Sequence, residues 1–215
     1  MNLSLYIEAI KDTFFMTITS SLVSYIIGIP LGVLLYVTSD IGLTPNKILY
    51  NAVSTIVNIF RSIPFLILLI LVLPITRFLV HTTIGAKAVI PPLIISASPY
   101  IARMVESSLK EIDLGVIEAA KSMGATNFQI ITKVLLTESK PSLLVGAAIS
   151  ITTILGYSAM AGAVGGGGLG DVAIRYGYNR YDEEVLFITV ILLVIIVQII
   201  QAIFMSLANH TDKRI

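Results

Sequence analysis

Val185–Leu207 runs without a charged residue, and only Thr189, Gln198, Gln201 and Ser206 interrupt it as polar side chains. About 20 mainly apolar residues suffice for a helix to cross the hydrocarbon core of a bilayer. A helix apolar on every side is stable only in lipid or deep inside a protein. This run therefore directs the chain toward a membrane bundle, and the rest of the sequence agrees. Further apolar runs cover Phe14–Val37, Tyr50–Val80, Ala88–Ser107 and Ser142–Ala163. We expect an all-α integral membrane protein: one transmembrane domain over residues 1–215, five spans at about 14–37, 50–80, 88–107, 142–163 and 185–207, and one long connection at about 110–140.

Two of the runs cannot be plain spans. Tyr50–Val80, fully helical, would reach about 46 Å against a hydrocarbon core of about 30 Å. Part of it must tilt, lie in the interface or break, and Pro64 is the break point. The third run carries Pro91, Pro92 and Pro99. Irregular backbone at membrane depth survives only against protein or water, so this span is expected to be interrupted and to face the bundle or a path through it. The first run follows Glu8, Lys11 and Asp12, whereas a cleaved leader begins with basic residues. It reads as a retained span.

Composition excludes several function classes. Charged residues make up 13% of the chain, against about 25% in soluble domains. A net charge of +1 provides no electrostatic footprint for nucleic acid. The absence of cysteine removes disulfides, thiolate metal sites and thiol nucleophiles. His81 and His210 lie far apart without metal-ligand spacing. No catalytic residue, metal or bound cofactor is expected on this chain.

Five spans place the termini on opposite sides, and Lys and Arg select the cytoplasmic side. Lys47, Arg103, Lys110, Lys121, Lys133, Lys140, Lys213 and Arg214 share one side; Lys11, Arg77, Lys87, Arg175 and Arg180 share the other, with Arg61 left out. The bias puts the long connection and the C-terminus in the cytoplasm, and the N-terminus and the Gly165–Glu184 loop outside.

The long connection contains Glu118-Ala-Ala-Lys-Ser-Met-Gly124. Asp113 can cap a helix through Ile117, Ala119 and Ala120. Gly124 suits the left-handed residue that ends it. Thr126-Asn-Phe-Gln129 fits a capping box, which opens a second helix through Ile130, Ile131, Val134 and Leu135. Ala119 and Ala120 keep the surface low for a partner's backbone, Met123 and Phe128 add apolar contact, and Glu118 can pair with Lys121 at i+3. The residues alone leave two readings open: a docking element for another protein, and an amphipathic connector on the membrane surface.

The segment Glu118–Thr137 resembles the "EAA…G" coupling loop of ABC importer permeases. It keeps Glu118, Ala119, Ala120, Gly124 and Leu136 and departs at Thr137, where the family has proline. Arg61-Ser-Ile-Pro-Phe65, Pro99–Glu106, Gly156–Gly165, Gly168–Asp171 and Arg175–Tyr178 are similar to the permease subunits of methionine ABC importers, binding-protein-dependent type I importers. The resemblance implies a homodimer in the bacterial cytoplasmic membrane. It also implies two cytoplasmic ATPase subunits that carry ATP and Mg, and an extracytoplasmic methionine-binding lipoprotein. The implied function is methionine import, D or L, by alternating access. Alternatives are a permease for another small amino acid, an ion-coupled secondary transporter, for which the sequence shows no repeat or midplane acid pair, and a passive membrane anchor, which would need no Pro and Gly interruptions.

Other features carry competing readings. Gly165, Gly166, Gly167 and Gly168 continue to Leu169 and Gly170 without the Lys-Ser/Thr of a phosphate loop, so we read these four glycines as a flexible hinge. Met160, among small residues, reads as a gate on a translocation path together with Tyr157, Ser158 and Arg61; the competing reading is ordinary packing, and for Arg61 snorkelling to the interface. Gly28 and Gly32 fit either close helix packing or a kink. Arg103 and Glu106 suit a structural i+3 pair, and Tyr176, Tyr178 and Tyr181 an interfacial belt.

Overall fold

The computed structural model describes residues 3–212. Lys213 and Arg214, counted in the charge bias, lie outside the described residues. The structure is built from helices: α1 Leu3–Thr38, α2 Lys47–Ser62, α3 Phe65–Val80, α4 Ala86–Lys110, α5 Leu114–Ser122, α6 Asn127–Gln129, a π-helical turn Ile130–Leu135, α7 Leu136–Glu138 and α8 Lys140–Ala161. A 3-10 turn Gly162–Val164, α9 Gly168–Val172, a second π-helical turn Ala173–Tyr178 and α10 Glu183–Thr211 complete the described chain. Helices α1, α4, α8 and α10 are long and apolar enough to cross a membrane, and the α2–α3 pair makes a fifth crossing if counted as one.

The second expected span is broken where Pro64 placed the break. Helices α2 and α3 meet at 106° across Ile63 and Pro64. Pro64 forces the preceding residue out of the helical region, and Ile63 is accordingly extended at φ −82°, ψ 122°.

The third span corrects the sequence expectation. Helix α4 runs unbroken through Pro91, Pro92 and Pro99. All three prolines are buried, so packed neighbours hold the backbone that each ring disturbs. The other half of the expectation stands: α4 is the central helix. Its most apolar window is 56% buried, against 11% for α10, which lies at the periphery of the bundle.

Close approach of α1 explains how α4 is enclosed. A Cβ on Gly28 would lie 2.6 Å from Ile101, and one on Gly32 2.5 Å from Val105. Larger residues at either position would push the two helices apart, so the glycine pair serves packing. The principal core extends from Met16 and Tyr36 on α1 through Leu93, Ile101 and Leu109 on α4 to Ile154 on α8. It continues without a gap into Ile117, Ala120, Ile130 and Leu135 of the long connection.

Candidate coupling loop and translocation path

The connection between α4 and α8 is an ordered platform. The Asp113 carboxylate accepts from Gly115 N–H at 2.6 Å and starts α5. At its other end Gly124 takes φ +80°, Gly124 N–H donates to Lys121 O at 2.9 Å, and Ala125 N–H donates to Ala120 O at 3.1 Å. These bonds satisfy the last carbonyls of α5. The capping box forms as its spacing predicts: Gln129 N–H donates to Thr126 Oγ1, and Thr126 N–H donates to Gln129 Oε1 at 2.9 Å.

Beyond the capping box the helix widens into the π turn Ile130–Leu135, a form frequent at functional sites. The chain stays helical across Thr137, whose N–H is compatible with a helix interior. Pro141 then stands in the first turn of α8, where a missing N–H costs nothing.

The platform has two faces. Ile112, Ile117, Ala120, Ile130 and Leu135 point into the core. Leu114, Val116, Met123 and Phe128 point outward, Met123 at 81% and Phe128 at 73% exposure. Ala120, Met123, Gly124, Ala125, Gln129, Lys133 and Val134 surround a concavity of about 380 Å³. Ala120 is buried where it lines this concavity, and Ala119 stands on the exposed side. One expectation is corrected. Glu118 and Lys121 do not pair; the ion pairs among the described residues are Arg103–Glu106, Lys110–Glu106 and Arg175–Asp171. Both side chains are exposed, where such a pair gains little. Leu114 and Val116 belong to the outer face and escaped the sequence reading, although the run Leu114-Gly-Val116 beside a cap was its signal.

Immediately above the platform α4 carries a buried carboxylate. Glu106 binds Arg103 at 2.6 Å, Lys110 at 2.7 Å and the Tyr50 hydroxyl of α2 at 3.0 Å. The Arg103 guanidinium continues to Ser54 and to Asn58 Oδ1 of α2, the latter at 3.0 Å. The sequence-level pair of Arg103 and Glu106 is present, but it is the centre of a network joining two helices.

The candidate path residues are only partly brought together. Met160 is 50% exposed near the end of α8, on a face shared with Ile149 and Gly156. Tyr157 stacks on Phe65, the first residue of α3, with ring centroids 4.7 Å apart. Ser158 does not join them: it is buried and donates to Leu155 O at 2.7 Å. Arg61 is exposed in the last turn of α2 beside the break.

The glycine run, read from the sequence as a flexible hinge, forms a packed turn in the structure. Gly165, Gly167 and Gly168 hold φ of +77°, +75° and +76°. Gly166 differs from them: it is absent from the positive-φ glycines, it is buried, and its N–H donates to Ala161 O at 3.0 Å. A Cβ on Gly166 would lie 2.7 Å from Val89 Cγ2 of α4 and 2.8 Å from Ala161 O. Gly166 therefore serves the close approach of the turn to α4, not backbone freedom. Neighbouring bonds hold the rest of the turn. Gly85 N–H donates to Gly165 O at 2.9 Å, and Leu169 N–H donates to Thr13 Oγ1 of α1 at 2.9 Å. The segment expected as an outer loop, Gly165–Glu184, is mostly helical, through α9 and the second π turn. Of the three tyrosines there, Tyr178 and Tyr181 are exposed, while Tyr176 packs on a core cluster and under the Arg180 guanidinium.

A bundle of membrane-length helices whose long connection forms an ordered, apolar-faced platform can be compared with known proteins. The description "Binding-protein-dependent transport system inner membrane component" matches residues 28–215. The chain belongs to this family. It is therefore a membrane component of an ABC importer, a transport subunit rather than an enzyme. It is 48% identical, over 100% of its length and 95% of the relative's, to the "Probable D-methionine transport system permease protein MetI" of Vibrio cholerae. It is also 48% identical, over 84% of its length and 82% of the relative's, to the "Methionine import system permease protein MetP" of Bacillus subtilis. Its fold matches a chain of the MetNI methionine ABC transporter, solved in inward-facing conformations, with TM-score 0.96 at 47% identity over 98% of both chains.

Proposed function

We propose that this permease passes methionine, as the D or L form, into the cytoplasm. The near-complete alignment at 47–48% identity with proteins named for methionine transport supports this substrate. An apolar zwitterion also needs only a modestly polar route, in keeping with spans this apolar. Two copies of the chain would enclose the route. Two ATPase subunits carrying ATP and Mg would seat on the platform formed by Glu118, Ala119, Met123, Gly124 and Phe128. An extracytoplasmic binding protein would deliver the solute to the opposite side. The Lys and Arg bias supports a cytoplasmic platform and C-terminus and an outer N-terminus.

The mechanics follow from the core. The apolar residues beneath the platform are continuous with α4 and α8, so a push on Met123 and Phe128 reaches the spans without a flexible linker. Two Met160 side chains, one from each copy, would seal the route, since methionine adapts to irregular gaps. The turn Gly165–Gly168 would be where the outer end of α8 changes direction, with Gly166 keeping it seated on α4. Reconstituted vesicles test the substrate. Methionine uptake should require ATP, the ATPase subunit and the binding protein, and should outcompete other small amino acids. Uptake that follows an ion gradient without ATP would overturn the proposal.

A further inference from the structure

Helix α2 divides cleanly around its circumference. At 100° per residue Asn51, Ser54, Thr55, Asn58, Arg61 and Ser62 fall within an arc of about 120°. Ile48, Ala52, Ile56 and Ile59 occupy the neighbouring arc. Val57 and Val53 turn toward Leu31 and Leu35 of α1 and Ala102 of α4. Ser54 and Asn58 turn toward Arg103 of α4. The polar arc thus lies on the side away from α1, and Asn51, Thr55, Asn58, Arg61 and Ser62 remain exposed.

An exposed stripe of amide, hydroxyl and guanidinium groups on one half of a broken span is unfavourable against lipid. It calls for water. Its charge is also one-sided. Arg103 and Lys110 share the single carboxylate of Glu106, which leaves one positive charge in excess. Arg61 adds another, and no acidic side chain pairs with it among the described residues. Glu106, buried to 3% exposure and held by three donors, fixes α2 to α4 and so fixes the direction in which the stripe points.

We propose that the polar arc of α2, closed on one side by Arg103, is the wetted wall of the inner half of the translocation path, and that Arg61 and Arg103 make this wall attractive to the carboxylate of the passing solute. The direction of passage rests on the importer function. The wall's wetness and charge do not, because they follow from α2 itself. Apolar Ile48, Ile56 and Ile59 face lipid or the second copy, and the solute's carboxylate moves along Arg61, Asn58 and Arg103.

The lack of native cysteine makes the test direct. Single cysteines at Asn51, Thr55 and Ser62, and at Ile48, Ile56 and Ile59, are placed in the complete transporter in vesicles with the cytoplasmic face accessible. Each is treated with a sulfonate-bearing or a trimethylammonium-bearing methanethiosulfonate. The three polar-arc positions should react at least about tenfold faster than the three apolar ones, since such reagents need water. At Thr55 the anionic reagent should be favoured over the cationic one relative to free cysteine, and Arg61→Gln should cut that preference by about half or more. Protection of both arcs would mean that α2 packs against the second copy, and equally fast reaction of both that water surrounds α2; either result would overturn the proposal. So would a reagent preference indifferent to Arg61. Methionine uptake by the cysteine-free parent, measured in the same vesicles, reports separately on the transported solute.

Discussion

Two left-handed glycine sites, one on each side of the molecule, solve the same backbone problem in opposite surroundings. Gly124 ends α5 at φ +80°, and a Cβ there would meet nothing within 4 Å. Gly168 opens α9 at φ +76°, and a Cβ there would lie 2.8 Å from Met16 Cε and 2.8 Å from Thr13 Oγ1. Gly124 is required by backbone conformation alone. Gly168 is required by conformation and by space, because the turn is packed onto α1. The platform is therefore an ordered surface that the protomer leaves open, and the glycine turn before α9 is a joint that the protomer has already filled.

The contrast predicts graded damage. Gly168→Val combines a strained φ with overpacking and should cost about 3 kcal/mol or more. Loss of a cooperative thermal transition, or failure to accumulate in the membrane, would be the sign; a variant as stable as the parent would show that the glycine turn is looser than its contacts. Gly124→Val faces strain only, about 1–2 kcal/mol. It should accumulate in the membrane yet bind the ATPase weakly and import poorly. Gly124→Asn should lose less than either, because asparagine tolerates the left-handed region. If the Asn and Val variants import equally badly, crowding by a partner and not backbone strain governs the site.

Smaller still in stability is Met160→Ala. The side chain is half exposed in the protomer, so its loss should leave assembly intact. The change should appear as solute leak or as ATPase activity less dependent on the binding protein. Unchanged coupling would make Met160 ordinary packing.

Local chemistry was legible in the sequence, and long-range contact was not. Asp113, Gly124 and the Thr126–Gln129 box act within a few residues of themselves, so their spacing was sufficient. Pro64 likewise breaks the chain where it stands. The prolines of α4 misled because their tolerance depends on burial by α1, α3 and α8, which no window of sequence contains. Gly166 misled for a related reason: four glycines in a row suggest freedom, and only the contact with Val89 shows that one of them is there to leave room. Ser158 stands near Met160 in sequence, but a separation of two along a helix turns side chains to different faces, and Ser158 points into the core. The partners of Arg103 on α2 are 45 and 49 residues distant, so only a folded chain brings them together. Ala120 illustrates the same limit: its motif was recognisable, but its burial depended on where Ile117 and Ile130 pack.

The central claim is that the open platform is the seat of the ATPase. Replacing both Met123 and Phe128 by alanine removes the two most exposed apolar side chains of the α5–α6 region while leaving Ile117, Ala120 and Ile130 beneath it untouched. Co-purification of the ATPase with the tagged permease from the membrane measures the outcome. The account predicts a permease of parental thermal stability that retains little or no ATPase. Full retention of the ATPase by a normally folded double variant would contradict it.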